Sequence, residues 1–256
     1  MVTSSSLLPV STIRDLTLLG LDDDRVLVVA CDSVGSIGPK PHDQYPASAA
    51  LTAHYALRVP LLELVAAGAR PELVVDTLSV ELDPTGSEMI AEVRRVAASV
   101  GLGAERVTGS TEDNVPSLAT GVGVTVLGTA RRAELRPGTS RSGDVVLCLG
   151  RPTSAPDDVV VMDDARMLAL DTLVAVLAVD GVHDALPVGS KGVRHELGEL
   201  AATAGLVAEP VDSDVDVSHS GGPASCVLVS VAPHAHDDVV AVLPAGLPFA
   251  VVGRLA

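Results

Sequence analysis

Aromatic side chains are nearly missing from the chain: it has no Trp, two Tyr and one Phe in 256 residues. A flat ring bound here would have to lie on aliphatic groups or on Tyr45 or Tyr55; Phe249 is the only other aromatic. Lysine is as scarce, with only Lys40 and Lys191 among 17 basic residues. Against these stand 33 Asp and Glu. The net charge of −16 argues against a nucleic-acid or anionic-membrane partner, since both require a basic surface. The three cysteines, Cys31, Cys148 and Cys226, lie far apart with no CxxC pair. That spacing argues against a zinc site or a disulfide framework and fits buried free thiols in a reducing compartment. No run of about 18 uncharged apolar residues occurs, so no membrane span is expected. Met1 to Ser6 has no basic stretch leading into an apolar one, so we expect no secretory signal and a cytoplasmic location.

Familiar motifs are missing as well. There is no G-x-x-x-x-G-K-S/T loop and no G-x-G-x-x-G opening a helix after a strand. The G-x-S-x-G, H-E-x-x-H and protein-kinase signatures are also lacking. His183, His195, His219, His234 and His236 share no spacing that suggests a metal, and His54 reads as packing within a helix. Any nucleotide chemistry must use a different fold.

What the chain has is apolar material, 47% of its residues, enough for one large domain or two modest ones. Residues 15–21 and 25–31 read as strands joined by the acidic turn Asp22-Asp23-Asp24; the second is a continuous apolar run, expected to be buried on both faces. A loop rich in Gly and Pro follows, from Asp32 to Pro41. The pattern from Pro46 to Gly68 is helical, with Pro60 expected to kink or split it. A strand is expected over 73–82. Thr85 and Glu88 form a T-x-x-E capping box for a helix whose stripe is Met89, Ile90, Val93, Ala97 and Val100, stopped at Gly101. A polar loop, Gly109 to Pro116, leads into a strand over 122–130. Past the Pro/Gly/Ser stretch 137–142, strands are expected at 144–149, 158–162, 225–231 and 249–254, and helices at 164–178, 192–205 and 236–243. This order suggests two α/β layers (an α/β, or α+β, class) rather than one doubly wound sheet.

Acidic residues sit at strand ends and beside glycine loops: Asp32 after the strand 25–31, Glu63 five residues before Gly68, and Glu112 and Asp113 inside Gly109–Pro116. Carboxylates converging from separate elements are what Mg²⁺ needs when it bridges nucleotide phosphates. Each has a plainer alternative: Asp32 as a strand-end cap, Glu63 in an ion pair with Arg58 or Arg70, the loop acids simply solvated. Lys40 and Lys191 both lie in loops containing glycine, where a cation beside phosphate would be useful. Lys191, between Gly189 and Gly192, equally well begins a helix whose backbone N–H groups bind anions.

The order of these pieces resembles the aminoimidazole-ribonucleotide (AIR) synthase-like, or PurM-like, superfamily, which includes thiamine-monophosphate kinase and selenophosphate synthetase. The resemblance runs from about Arg14 to Leu255. It is carried by Cys31-Asp32-Ser33-Val34-Gly35, by Glu63 to Pro71 as the "A-M-G-A-x-P" turn, by Gly109-Ser110-Thr111-Glu112 as the "G-G-D-T" loop, by Ser142 to Gly150, and by Ser220-Gly221-Gly222-Pro223-Ala224. The paired N-terminal aspartates of the better-known members are missing. Residues 30–40, Gly109 to Pro116 and Val188-Gly189-Ser190-Lys191-Gly192 look most similar to the branch that includes α-ribazole kinase.

The resemblance implies an N-terminal half-barrel domain (1–137) that pairs with a second copy as a homodimer, and a C-terminal α/β layer domain (138–256). It implies ATP and Mg²⁺ as cofactors in a cleft lined by Asp32, Glu63 and the 109–116 loop. Asp32, Glu63 and Glu112 would hold the metal, and Asp32, Lys40, Gly109, Ser110, Thr111 and Asn114 the nucleotide. Asp113 or Glu112 would orient or deprotonate the acceptor hydroxyl, and Lys191 would hold phosphate. The implied reaction is phosphoryl transfer to a small molecule, the 5′-hydroxyl of α-ribazole in that branch. Two other readings stay open: ATP-dependent activation of a carbonyl or acid oxygen, and a nucleotide-binding regulatory protein without catalysis.

Overall fold

A computed structural model describes residues 7–256; the Met1–Ser6 segment, and with it the expectation about a signal, lies outside the described residues. In chain order the elements are β1 Val10–Ile13, β2 Leu16–Gly20, β3 Arg25–Gly35, β4 Ile37–Gly38, β5 Tyr45–Pro46, α1 Ala49–Ala66, β6 Arg70–Leu78, α2 Ser87–Ser99, β7 Val107–Ser110, β8 Gly121–Arg131, β9 Val145–Leu149, α3 Leu170–Leu177, β10 Val182–Pro187, α4 Val193–Thr203, β11 Ala208–Pro210, β12 Val227–Val231, α5 His236–Val242 and β13 Phe249–Leu255. The fold is mixed α/β, as expected. The first sheet runs β1-β2-β3-β8-β6-β7, the second β10-β12-β9-β13-β11, and β4 pairs with β5.

The first sheet is covered on one side only. Along β3, Val26, Val28 and Ala30 are buried against α1 and α2, while Leu27 and Val29 are half-buried and Cys31 is exposed. This corrects the expectation that 25–31 is buried on both faces and that all three thiols are hidden. In an antiparallel sheet a continuous apolar strand can leave one face open. The second sheet is different: every residue of β9 and β12 is buried. Leu147, Leu149, Val227 and Val229 pack in the core with α3 and α5, while Val146, Cys148 and Leu228 pack with α4.

Helix α1 joins the two layers. It starts at Ser48, whose Oγ accepts from the Leu51 N–H at 3.1 Å, and ends where Gly68 takes φ +81. A side chain there would put Cβ 2.5 Å from the Glu134 carbonyl. The chain stays helical through Pro60, so the expected split does not occur. Ala53, Leu57, Leu61 and Leu64 pack under the first sheet, and Leu62 and Ala66 in the core of the second. Helix α1 is long and apolar enough to cross a membrane by length and composition, yet 61% of it is buried inside the protein; an all-round apolar helix is a core helix here.

Other boundaries also differ from expectation. Thr85 does not cap α2; its Oγ1 donates to Glu81 Oε1 at 2.5 Å, and Glu88 Oε1 instead accepts from the Ala50 N–H. Residues 158–162 form no strand, because Asp158 is tied to the Ser154 N–H and to His219 and the chain there is a loop. The expected helix 164–178 shortens to α3, since the Asp164 carboxylate holds Arg166 and the Leu168 N–H donates to the Ser225 carbonyl. Strand β10 was not expected at all: Asp184 interrupts its apolar pattern.

That aspartate is one end of a buried bridge between the layers. Arg14, in the β1–β2 turn, donates to both Asp184 carboxylate oxygens at 3.1 and 2.6 Å, with side chains 6% and 0% exposed. Asp184 also accepts from the Gly138 and Ala185 N–H groups. A buried, fully bonded pair is costly to break from one side, because the other charge is stranded. Arg14→Met is therefore expected to lower the unfolding free energy by about 3–5 kcal/mol, and Arg14→Met combined with Asp184→Leu to recover part of it. Urea unfolding followed by circular dichroism measures both; a loss under about 1 kcal/mol in the single variant would match an exposed pair instead.

Candidate functional site

Strand β3 outruns the covered part of its sheet, and its end opens on a cavity of ≈ 360 Å³ between the layers. One wall is Asp32 to Gly35, Ile37, and Leu51, Thr52 and Tyr55 of α1; the other is Ser154, Ala155, Val160 and the Gly222-Pro223 turn. Burial pushes the Asp32 carboxyl up from its ordinary value, partly offset by a bond from the Ser33 N–H. The opposite turn needs its glycines. A Cβ on Gly222 would lie 2.7 Å from the Thr153 carbonyl, and one on Gly221 2.3 Å from the Val188 carbonyl. The Gly221 N–H donates to Gly189 at 3.0 Å, so Val188–Gly192 is bonded directly to the turn that faces Asp32. Lys191 itself is exposed, and Gly192, at φ +81, opens α4.

Glu63 lies in a neighbouring crevice of ≈ 20 Å³ with Arg14, Asp15 and Pro187 rather than in the main cavity. Its Oε2 is buried and has no hydrogen-bond partner. Burial, with Asp15, Asp32 and Glu196 nearby, pushes its carboxyl up to about 8. Neither expected pairing forms: Arg58 donates to main-chain carbonyls and Arg70 pairs with Glu72.

The 109–116 loop stands at the other edge of the first sheet and lines neither space. Its Asp113 Oδ1 accepts from the Leu82 N–H at 2.9 Å and Oδ2 from Thr111 Oγ1 at 2.8 Å. Those donors pull its carboxyl below the ordinary range. Glu112 Oε1 accepts from the Asn114 N–H, and the Glu112 N–H donates to the Val80 carbonyl. Lys40 reaches this edge from the β3–β4 side and pairs with Glu81, whose carboxyl Lys40 and Thr85 hold down at about 2. Segment 32–40 thus connects the cavity to the loop. Ser110 ends β7 and is exposed, as are Gly109 and Asn114.

Two acidic residues escaped the sequence reading. Glu81 was hidden by the role given to Thr85. Asp76 is 3% exposed, sits mid-strand in β6, and has an Oδ2 with no partner. Register places it opposite Val124, which on its other side faces Asp32, and next to Gly109. Asp32, Val124, Asp76 and Gly109 therefore form one row across four strands. A Cβ on Gly109 would meet Asp76 at 1.8 Å. A lone Asp within Leu73-Val74-Val75-Asp76-Thr77-Leu78 was the available signal.

Among the described residues no group of three or more His, Cys, Asp or Glu is arranged to hold a metal ion; in particular Glu112 is not brought beside Asp32 and Glu63. In charge, Asp32 and Glu63 do fit a divalent cation, as acids with no basic partner and, in Glu63, an orphaned oxygen. If Glu63 is raised to about 8, the folded state holds that proton more tightly than the unfolded chain does. Stability is then highest at acid pH and is lost as pH rises through the window up to about 8. Glu63→Gln removes this loss. Its melting temperature relative to the parent should climb between pH 5 and pH 8.5 in chelator, and added Mg²⁺ should narrow the gap. A gap that ignores pH would mean that Glu63 titrates as an ordinary carboxylate.

Solved structures share this fold. Thiamine-monophosphate kinase of Stenotrophomonas maltophilia superposes with a TM-score of 0.67 at 19% identity, covering 95% of this chain and 86% of that one. PurL of Thermotoga maritima, solved in complex with ATP, gives 0.68 at 20% identity and covers 93% of this chain. The match takes in 41% of PurL, so this chain spans about two fifths of that protein. HypE, from a HypE–HypF complex, gives 0.66 at 14% identity, covering 94% of this chain and 86% of the other. No protein-family model and no curated protein sequence matches the chain. At these identities the likeness is one of fold, and the chain is built on the PurM-like fold that these proteins share.

Proposed function

We propose that the protein transfers the γ-phosphoryl group of Mg-ATP to a hydroxyl of a small molecule, with α-ribazole, at its 5′ position, as the acceptor. The observation that carries this reading is the cavity where Asp32 faces the glycine turn 221–222 across the junction of the two layers. Its volume suits a small ligand. Val34, Ile37, Leu51, Val160 and Pro223 give it apolar walls, and Tyr45 and Tyr55 supply two of the chain's three aromatics. A benzimidazole ring suits those walls. All three segments that resemble the α-ribazole kinase branch are connected to the cavity: 30–40 lines it, 188–192 is bonded to its turn, and 109–116 is reached through Lys40 and Glu81.

On this reading Asp32 orients the acceptor hydroxyl and helps hold the metal, with Glu63 behind it. The loop 109–116, with Lys40, is the second surface for the nucleotide, and Lys191 stands free beside the turn to meet phosphate. Bound Mg²⁺ supplies the neutralisation of phosphate charge. Glu112 is engaged within its own loop and Asp113 by Thr111 and the Leu82 N–H, which makes Asp32 the better placed carboxylate to receive the hydroxyl proton. The open face of the first sheet, with Leu27, Val29, Val75 and Leu127 half-buried, is the surface through which two copies pair.

Mg-ATP at millimolar concentration should raise the melting temperature. Enzyme, Mg-ATP and α-ribazole together should yield ADP and a riboside heavier by one phosphate in the mass spectrum. Asp32→Asn should reduce turnover at least about 100-fold with an unchanged circular-dichroism spectrum. Consumption of ATP with another hydroxyl, amide or acid, but not with α-ribazole, rejects the acceptor. ATP binding without turnover on any of these favours the regulatory reading.

A further inference from the structure

A second space, of ≈ 770 Å³, lies on the other side of Tyr55. It is a groove between α1 and α2 on one wall and residues 163–174 and 244–247 on the other. Tyr55 lines both spaces, and its hydroxyl donates to the Val161 carbonyl at 2.5 Å. The phosphoryl-transfer reading makes no use of this groove.

Its chemistry is concentrated at one end. Arg58 and His54, four residues apart, share a face of α1 and line the groove. Arg58 is an uncompensated cation: Nε and Nη2 donate to the carbonyls of Ala224 and Leu168, it pairs with no carboxylate, and Nη1 has no partner among the described residues. Burial pulls its guanidinium down to about 10, the expected response of a cation that lacks an anion. His54 Nδ1 lies 2.8 Å from Glu92 Oε1, and Arg95 braces the same carboxylate at 2.7 and 2.8 Å. Nδ1 therefore carries the proton, and Nε2 has no partner among the described residues. Burial holds the ring below its ordinary value, against the pull of Glu92. Beyond this polar end the walls are apolar, with Val96, Val100, Leu170, Val174 and Leu247. The acids across the groove do not answer Arg58. Asp164 is held by Arg166 at 2.5 Å, and Asp163 and Asp171 are exposed on the lip.

We propose that this groove binds a small organic carboxylate with an apolar body, its head group on Arg58 Nη1 beside His54 and its body along Val96, Leu170 and Val174. A carboxylate oxygen can accept from the free Nη1 in a charge-assisted bond, and an apolar tail matches the apolar side chains of the walls. Tyr55 stands between this site and the cavity at Asp32.

The test uses octanoate as the probe and octanamide as its uncharged isostere, titrated calorimetrically into the full chain. Octanoate should bind at least tenfold more tightly than octanamide. Arg58→Met should remove that preference; His54→Gln should weaken octanoate severalfold and leave the melting shift produced by Mg-ATP as in the parent. Arg58 also holds two carbonyls, so if its variant fails to fold, His54→Gln and Arg95→Met carry the test. No heat with octanoate, equal affinity for octanamide, unchanged octanoate affinity in the folded variants, or competition between octanoate and Mg-ATP would each overturn the proposal.

Discussion

Thr52 and the Tyr55 hydroxyl aside, helix α1 is apolar on every side except at His54, Arg58 and Glu63, and such a helix is stable in water only if every side is covered. One sheet cannot do that. The first sheet takes the face with Ala53, Leu57 and Leu64, and the second takes Leu62 and Ala66. The two layers are thus held together by a requirement of the sequence between residues 49 and 66. The three polar exceptions fall where α1 passes spaces between the layers: His54 and Arg58 in the larger groove, Glu63 in the crevice beside Asp15. Polar residues on a core helix mark where packing stops, and here each such place is a candidate for chemistry.

The seam is finished by arginines rather than by more apolar contact. Arg14 closes on Asp184, Arg58 on the carbonyls of Leu168 and Ala224, and Arg136 on those of Leu177 and Val182. A guanidinium has five donors in a fixed plane, so it can satisfy main-chain carbonyls left over where loops, not strands, meet a helix. Lysine could not replace it, which gives the chain's preference for arginine a structural use at these three positions. Arg58 holds two of the segments that flank cavities, at Leu168 and Ala224, and the Ala224 carbonyl follows the Gly222-Pro223 turn directly. The wall facing Asp32 is therefore set from the far side of α1.

The layers, the order of most elements and the stripe of α2 were legible because they depend on periodicity, which is local. Met89, Val93 and Ala97 are all buried, as the pattern required. What was illegible depended on partners distant in sequence. Strand β10 was masked by Asp184, an oddity until Arg14 comes within reach from 170 residues away. Residues 159–161 are rich in valine, yet no free strand edge receives them, and Val159 remains 73% exposed. Thr85 fitted a capping pattern but found a better acceptor in Glu81. In the candidate site, Asp32 and the glycine turn were found as motifs and meet across one cavity. The loop 109–116 was also found as a motif, but lies at the opposite sheet edge. Asp76 was missed because a buried acid in mid-strand looks like an error in a strand until the sheet aligns it with Asp32.

The same accounting of charge bears on how phosphate could be held. The chain carries a net −16, and apart from Arg58, on the far side of Tyr55, its buried or half-buried cations are already engaged: Arg14 by Asp184, Lys40 by Glu81 and Arg136 by carbonyls. Near the turn that faces Asp32, Lys191 is an exposed cation without a partner among the described residues. The backbone N–H of Gly221 is used by Gly189 and that of Gly222 by Ser220, so the turn is not a ready anion nest. A nucleotide in this cavity would meet carboxylates before it met donors. On the phosphoryl-transfer reading its charge must be offset by a divalent cation arriving with it. Asp32, and Glu63 on losing its proton, would then hold that cation. When bound, the cation would supply the positive charge that the nucleotide phosphates lack in this cavity.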